Sequence, residues 1–445
     1  VPEGKGPSIE ALLYQAEKDG VLPITSECNM ACTFCSNYYN PPSCEIRSIG
    51  RRSLEEIRDT IPWLQASSGP VVIGESVTRI NEGEPLTHPD FVRILRVVRD
   101  AYPDRPIRVT TNGALLTGDL IDQLARLDVE LIVSLNTVGK RREVMGDTAP
   151  ERTLSNVRAL CGKVRFDGSI VALPFMTGWD DLAETAAFLR DSGASTIRLL
   201  LPGFSSRHPL YREMPRNAWR ELKQFSGHLS DDLRLPVLLE PPGLSDTKPG
   251  VEYVLKGSPA DKAGLKARDV VVEVAGVETF SRKDAFDLCW DRENPLVTIE
   301  REGARIDLAL RKGRRESPGF TTYEDLDRQA WLNWERSTAA RKGRDVLILT
   351  SYLAKPVIEY VLEKRKVRAR VVAVRSSFFG GNIQAGGLLT VRDFLAAYRQ
   401  ATSDGLSPVE VTLPRIAFDP WGRDLEGVHH RTFREKTGVP VILAG

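Results

Sequence analysis

TSECNMACTFCSNYYN, residues 25–40, places Cys28, Cys32 and Cys35 within eight positions of a 445-residue chain that has six cysteines. Their spacing is C-x3-C-x2-C. A structural zinc site takes four ligands, usually as two close pairs. Cys44 could supply a fourth thiol, but SNYYNPP between Cys35 and Cys44 adds no second pair and no further C-x2-C occurs downstream. Three thiolates from one loop can instead hold three irons of a four-iron cluster, leaving the fourth iron open to a non-protein ligand. Zinc and coincidence stay as alternatives on the motif alone.

Outward from that loop, strand-like and helix-like segments alternate between about residues 20 and 230. The apolar runs GVLPIT (20–25), PVVIGESVTRI (70–80), PIRVTT (106–111), ELIVSLN (130–136), GSIVALPF (168–175) and TIRLLLP (196–202) are separated by stretches with helical spacing. In SLEEIRDTIPWLQA, Ser53 and Glu56 form a capping-box pattern, Leu54, Ile57, Ile61 and Leu64 share a face, and Pro62 should kink or end the helix. Six such units predict a parallel sheet that curls into a partial (β/α)6 TIM-like barrel, with its site at the carboxyl ends of the strands. The cysteine loop comes just after the first of these segments, where that rule places chemistry.

Composition agrees with an ordinary globular chain: 41% hydrophobic and 27% charged, with 61 Lys plus Arg against 60 Asp plus Glu. The net charge of +1 offers no bulk attraction for nucleic acid or an anionic membrane, so neither is an evident partner. No apolar run reaches the ~20 residues of a membrane span, and the opening VPEGKGPSIEALLYQAEKDG lacks an apolar core for secretion. These features predict a cytoplasmic protein, and the first residue, Val1, reads as a processed or trimmed terminus. Cys161 and Cys289 read as small core residues.

The C-x3-C-x2-C loop with Phe34 before its third cysteine, succeeded after the second strand by EGEPLTHPDF (82–91), resembles the radical S-adenosylmethionine superfamily. In that superfamily the open iron is chelated by the amino and carboxylate groups of S-adenosylmethionine, and a Gly-Gly-Glu-Pro segment contacts the amino group. Gly83, Glu84 and Pro85 match, whereas Glu82 replaces the first glycine. The resemblance implies that the Glu84 carboxylate and nearby carbonyls accept hydrogen bonds from an ammonium. His88 reads as a residue preceding a proline at a helix start. Asn112, Ser134 and Asn136, at the ends of the third and fourth strands, resemble groups that contact the ribose or amino-acid part of the cofactor; the alternatives are a turn at Asn112-Gly113 and a buried hydroxyl at Ser134. Cys44, in the loop leaving the three cysteines, is a candidate catalytic residue as hydrogen donor or nucleophile, against a loop cysteine without a role.

A Pro- and Gly-rich break, PPGLSDTKPG (241–250), divides the chain. The segment beyond this break resembles a bacterial-type PDZ domain: Ser258-Pro259-Ala260, Ala263-Gly264-Leu265, a strand from Asp269 to the Ala275-Gly276 turn, and a hairpin around Glu302-Gly303. Its entry, TKPGVEYVLK, has one glycine, and Pro249 has no N–H to offer a peptide carboxylate, which points to an architectural role. A polar, Arg-rich connector precedes a βαβ-like region. There Phe378, Phe379, Gly380, Leu388, Leu389, Thr390 and Asp393 resemble the C-terminal region of iron-sulfur oxidoreductases that also carry a PDZ domain. The expected organisation is a partial barrel over 1–240, a PDZ-like β-sandwich over 245–312, a connector over 313–344 and a C-terminal α/β domain over 345–445.

The resemblance implies one 4Fe-4S cluster held by Cys28, Cys32 and Cys35, with S-adenosyl-L-methionine on the open iron and an external electron donor of flavodoxin or ferredoxin type. The implied activity is reductive cleavage of S-adenosylmethionine to a 5'-deoxyadenosyl radical that abstracts hydrogen from a substrate. A small metabolite or natural-product intermediate is favoured as substrate over a peptide or protein taken up through the PDZ-like domain. A non-enzymatic, metal-bearing scaffold is the alternative of another class, and Glu84 within GEP after a second strand favours the enzyme.

Overall fold

Along six short segments every second residue is buried, the alternation of strands covered on one face. The computed structural model describes residues 9–67, 69–75, 79–338 and 344–445. They form two compact units, one of residues up to Pro241 together with Gly381–Ile383, the other of Pro242–Gly380 and Gln384–Gly445.

In the first unit, β1 (Arg47–Ser48) and β3 (Ile80–Asn81) make a small parallel pair. The main sheet comprises β2 (Val71–Ile73), β4 (Ile107–Thr111), β5 (Val129–Ser134), β6 (Phe166–Val171), β7 (Ile197–Leu200) and β8 (Val237–Glu240) in that order, all parallel. It is a partial (β/α)6 barrel. Ile73, Val109, Leu131, Val133, Ile197 and Leu199 turn toward the helices and share one core with Ile94, Leu95, Ile121, Leu124, Leu182 and Leu189. The helix Leu54–Thr60 starts at the capping box of Ser53 and Glu56, and at Pro62 the chain is already in a 3-10 turn, Ile61–Ala66.

Two strand expectations are corrected. GVLPIT forms no strand; Val21 makes an isolated parallel bridge to Val72, and Pro23, lacking an N–H, stops the ladder there. The sixth strand is β8, whose four residues between Pro236 and Pro241 are too short to carry a periodic signal. Ser76, Val77 and Thr78 of the second predicted run lie outside the described residues.

In the second unit, β9 (Tyr253–Val254) pairs with a distant segment, while β10 (Val270–Val274), β11 (Val277–Glu278), β12 (Leu296–Arg301) and β13 (Ala304–Ala309) form an antiparallel sheet in the order β11-β10-β12-β13. The expected turns are present: Ala275-Gly276 joins β10 to β11 and Glu302-Gly303 joins β12 to β13, each with both residues at positive φ. Cys289 is buried in this core, as expected. Cys161 is not a core residue: its helix ends at Arg158 and the thiol is exposed in the turn beyond it.

The stretch predicted to be a connector is built into both neighbours within this unit. Its strand β14 (Phe320–Thr321) pairs with β9, and Phe320 joins the core beneath β10 and β12. Its helix Arg328–Ser337 buries Trp331 and Trp334 against the last sheet, where the Trp334 Nε1–H donates to Thr412 Oγ1 at 2.9 Å. Residues 339–343, near the end of the stretch, lie outside those described. The last sheet is parallel, β16 (Arg370–Ala373), β15 (Val346–Thr350), β17 (Glu410–Pro414) and β18 (Val441–Ala444) in that order. Val357, Val361 and Leu362 are buried along the helix Lys355–Arg365. Among the described residues no helix is long and apolar enough to cross a membrane.

If the connector belongs to the core, truncating its buried indole should cost what a core truncation costs. Trp334→Ala is expected to lower unfolding free energy by about 3–5 kcal/mol, read as an earlier urea transition. A change within the range of surface substitutions would show that the helix is only laid on the sheet.

Candidate functional site

The loop 26–48 and the carboxyl ends of β2, β4 and β5 enclose a cavity of about 870 Å3. Cys28, Cys32, Cys35 and Cys44 line it, as do Gly83, Glu84, Asn112, Ser134 and Asn136. The residues singled out in the sequence therefore share one cavity, Pro85 excepted, which is buried beneath it. His88 stands apart as expected of a structural residue: it is buried, with Nε2 2.7 Å from the Arg52 carbonyl and Nδ1 accepting from the Asp90 N–H.

Backbone pairing fixes the cysteine loop from two sides. The Ala31 and Thr33 N–H groups donate to Met145 O (2.9 Å) and Val144 O (2.8 Å), carbonyls left open at the end of the helix Arg141–Met145. On the other side the Gly83 and Glu84 N–H groups donate to Thr25 O (2.9 Å) and Glu27 O (2.8 Å). This approach requires glycine at 83, where a Cβ would lie 2.0 Å from Glu27 O. Gly74 makes similar room for the Pro85 ring, whose Cγ would stand 2.4 Å from a Cβ.

The Glu84 carboxylate is hydrogen-bonded within the protein itself. Its Oε1 accepts from Thr111 Oγ1 (2.7 Å) and the Leu86 N–H (3.3 Å), and its Oε2 accepts from the Asn112 N–H (2.7 Å). The carboxylate is thus engaged in fastening the end of β4 to the cysteine loop. Burial pushes its pKa from 4.5 up to about 7, against the three hydrogen bonds that favour the charged form. Glu82, standing where the resemblance has glycine, accepts the Gly74 N–H at 2.6 Å, and burial raises its carboxyl well above the usual range.

The other polar candidates are also tied to the frame. Asn112 Nδ2 donates to Asn29 Oδ1 at 2.8 Å, and its Oδ1 accepts the Ala114 N–H, closing the turn at Gly113. Asn136 Oδ1 accepts the Val171 N–H at 2.6 Å, holding β6 to β5, while its Nδ2 lies 3.4 Å from Ser134 Oγ. Ser134 keeps the most freedom of the three.

Cys32 is half-buried, and burial first, then neighbouring Cys35 and Cys28, push its thiol up to about 12. A thiolate there calls for a cation. Arg141 opposes that rise in part. This side chain was missed in the sequence because GKRREV reads as a solvated charge run. It is 1% exposed, its Nε donates to Asp147 Oδ2 at 2.8 Å, and its Nη2 lies 3.4 Å from Asn112 O. Among the described residues, no three His, Cys, Asp or Glu side chains converge on a point that could hold one metal ion. Three thiols of one loop lining one cavity fit three irons of a cluster whose fourth iron is left open.

The concave face of the sheet was missed as well. The half-buried members of the alternation include Arg108 and Thr110 on β4, Glu130 and Ser134 on β5, Asp167 and Ser169 on β6, Arg198 on β7 and Glu240 on β8, with the apolar Val72, Val171, Leu200 and Leu238 among them. Arg198 Nε and Nη2 donate to Glu240 at 2.8 and 3.0 Å, its Nη1 lies 3.8 Å from Glu75, and Arg108 pairs with Glu130 at 3.3 Å.

The Glu84 environment has a pH signature in metal-free protein. With a folded pKa above the unfolded value, its contribution is fully present below pH 4.5 and is lost as pH rises through about 7. Unfolding free energy of the wild type should therefore fall across that window by roughly 1–3 kcal/mol more than that of Glu84→Gln. Equal slopes for the two proteins would overturn the assignment.

The family model described as the radical SAM superfamily matches residues 22–221, and that of a PDZ domain matches residues 250–301. GTP 3',8-cyclase of Klebsiella pneumoniae subsp. pneumoniae is 35% identical over 100 residues, 22% of this chain and 28% of that protein. GTP 3',8-cyclase 1 of Mycobacterium tuberculosis is 26% identical over 182 residues, 39% of this chain and 48% of that protein. The chain thus spans half or less of these relatives' length. Among solved structures, Streptococcus suis SuiB bound to precursor peptide SuiA is 16% identical with a TM-score of 0.39, over 49% of this chain and 48% of that one. The residues 22–221 that match the radical SAM superfamily model contain both the cysteine loop and the strands β1 to β7.

Proposed function

We propose that Cys28, Cys32 and Cys35 hold one 4Fe-4S cluster and that the carboxyl ends of β2, β4 and β5 hold S-adenosyl-L-methionine against it. The observation that carries this reading is the common cavity: three thiols of one loop line it together with Glu84, Asn112, Ser134 and Asn136. When bound, the cluster and S-adenosylmethionine supply one-electron reductive cleavage to a 5'-deoxyadenosyl radical, which abstracts hydrogen from a substrate. The electron comes from an external donor of flavodoxin or ferredoxin type.

The chain's own residues position and shield. Gly83 lets the backbone of the GEP segment run against Glu27, so that carbonyls of this segment, with what acceptor capacity Glu84 retains, are the groups available to an ammonium. Asn112 and Asn136 brace the rim, and Ser134 is the hydroxyl freest to reach a ribose. Buried Arg141 offsets negative charge gathered at Cys32. Cys44 lines the same cavity and is the candidate hydrogen donor to a substrate.

A polar small molecule is the favoured substrate. The concave face of the same sheet carries Arg108, Arg198, Glu130, Asp167 and Glu240 beside the apolar Val72, Val171, Leu200 and Leu238.

Protein prepared without oxygen is expected to carry about one four-iron cluster per chain, which air destroys. Cys28→Ala, Cys32→Ala and Cys35→Ala should each lose most iron and all reductive cleavage of S-adenosylmethionine, while Cys44→Ala should keep both. Two clusters per chain, stoichiometric zinc without iron, or cleavage retained in any of the three variants would refute the assignment.

A further inference from the structure

The cysteine loop has two limbs, and they are anchored by different means. The inner limb, through Ala31 and Thr33, is paired with Val144 and Met145. The outer limb turns at Tyr39, a non-glycine residue with φ of 62°. That left-handed conformation persists only where its surroundings hold it.

The loop after β7 holds it. Ser205 Oγ donates to Tyr39 O at 2.6 Å, and the His208 ring meets the Tyr39 ring edge-on with centroids 4.7 Å apart. His208 in turn stacks on Phe204 at 4.2 Å. Phe204 belongs to a cluster that includes Met30, Cys32 and Phe34 of the cysteine loop.

Phe204 is itself gripped by a segment 178 residues downstream. Asn382 Oδ1 accepts the Phe204 N–H at 2.6 Å, Asn382 Nδ2 donates to Pro202 O at 2.7 Å, and the Asn382 N–H donates to Phe204 O at 3.1 Å. One asparagine therefore engages both backbone groups of Phe204 and the carbonyl two residues before it. Gly381, with φ of 62°, lies so close that a Cβ would stand 2.0 Å from Phe204 O. This approach accounts for Gly381 in the FFGGN stretch.

We propose that Gly381 and Asn382 form a positioning clamp for the outer limb of the cysteine loop. Acting through Phe204, Ser205 and His208, they hold Tyr39 in the wall of the cavity that the thiols line. Any consequence for the cluster rests on the function proposed above; the ordering of Tyr39 does not.

The test is hydrogen exchange by mass spectrometry on the full metal-free chain, comparing wild type, Asn382→Ala and Asn382→Asp. In Asn382→Ala, amides of residues 36–44 should exchange about tenfold faster, as expected for the loss of one to two net hydrogen bonds. Residues 28–33, held by Val144 and Met145, should keep their protection. Asn382→Asp keeps the acceptor for the Phe204 N–H and loses the donor to Pro202 O, so it should fall between the two; it also carries the test if Asn382→Ala does not accumulate. After anaerobic iron loading, both variants should start with wild-type iron per chain and release it faster to an added chelator. Unchanged exchange at 36–44, or equal acceleration at 28–33, would overturn the clamp. Wild-type protein that takes up no iron would overturn the cluster reading, and the exchange pattern would still decide the clamp.

Discussion

The candidate site depends on one buried carboxyl group that has no ion-pair partner among the described residues. Glu84 receives hydrogen bonds from Thr111, Asn112 and Leu86, while its own N–H reaches Glu27. A single residue thereby sets the register between the end of β4 and the cysteine loop. Leaving a buried N–H donor unsatisfied would cost about 1–3 kcal/mol. The same engagement explains why Glu84 serves the cavity from its wall and leaves little of its carboxylate for a guest.

Five acidic groups around the cavity share a direction. Burial raises Glu84, Glu82, Cys28, Cys32 and Cys35 alike, so all five resist carrying negative charge in the metal-free protein. Buried Arg141 relieves this only in part, since Asp147 already claims its Nε. Holding a metal through these thiols would therefore require their protons to be released.

The sequence disclosed those parts of this arrangement that rest on local patterns. The cysteine spacing, the GEP segment, the capping box at Ser53 and the hairpin glycines are short-range signals, and each occurs where its pattern placed it. The parts that stayed hidden depend on pairing across the chain. Arg141 looks solvated in GKRREV until Asp147 and Asn112 O enclose it, and Trp331 and Trp334 look like incidental aromatics in a polar connector until the last sheet covers them. GVLPIT misled for the opposite reason: its composition suits a strand, but Pro23 denies it a ladder. Glu84 was legible as a candidate but not in its bonding, because nothing local announces Thr111 as a partner.

The sheet shows how one alternation serves two ends. Alternate members of β4 to β8 fill a helix-covered core, while the members between them carry Arg108, Glu130, Asp167, Arg198 and Glu240 onto the concave face. A one-residue slip in any strand would bury those charges and expose the core, so the polar face is specified as strongly as the apolar one. The loops above this rigid sheet lack that protection, and the cysteine loop depends on side-chain and backbone hydrogen bonds for its shape. Its inner limb finds them at Val144 and Met145, and its outer limb through Ser205, His208 and Asn382. The outer limb's anchoring therefore reaches a residue far downstream in the chain, whereas the sheet that carries the loop is held by its own ladder and core.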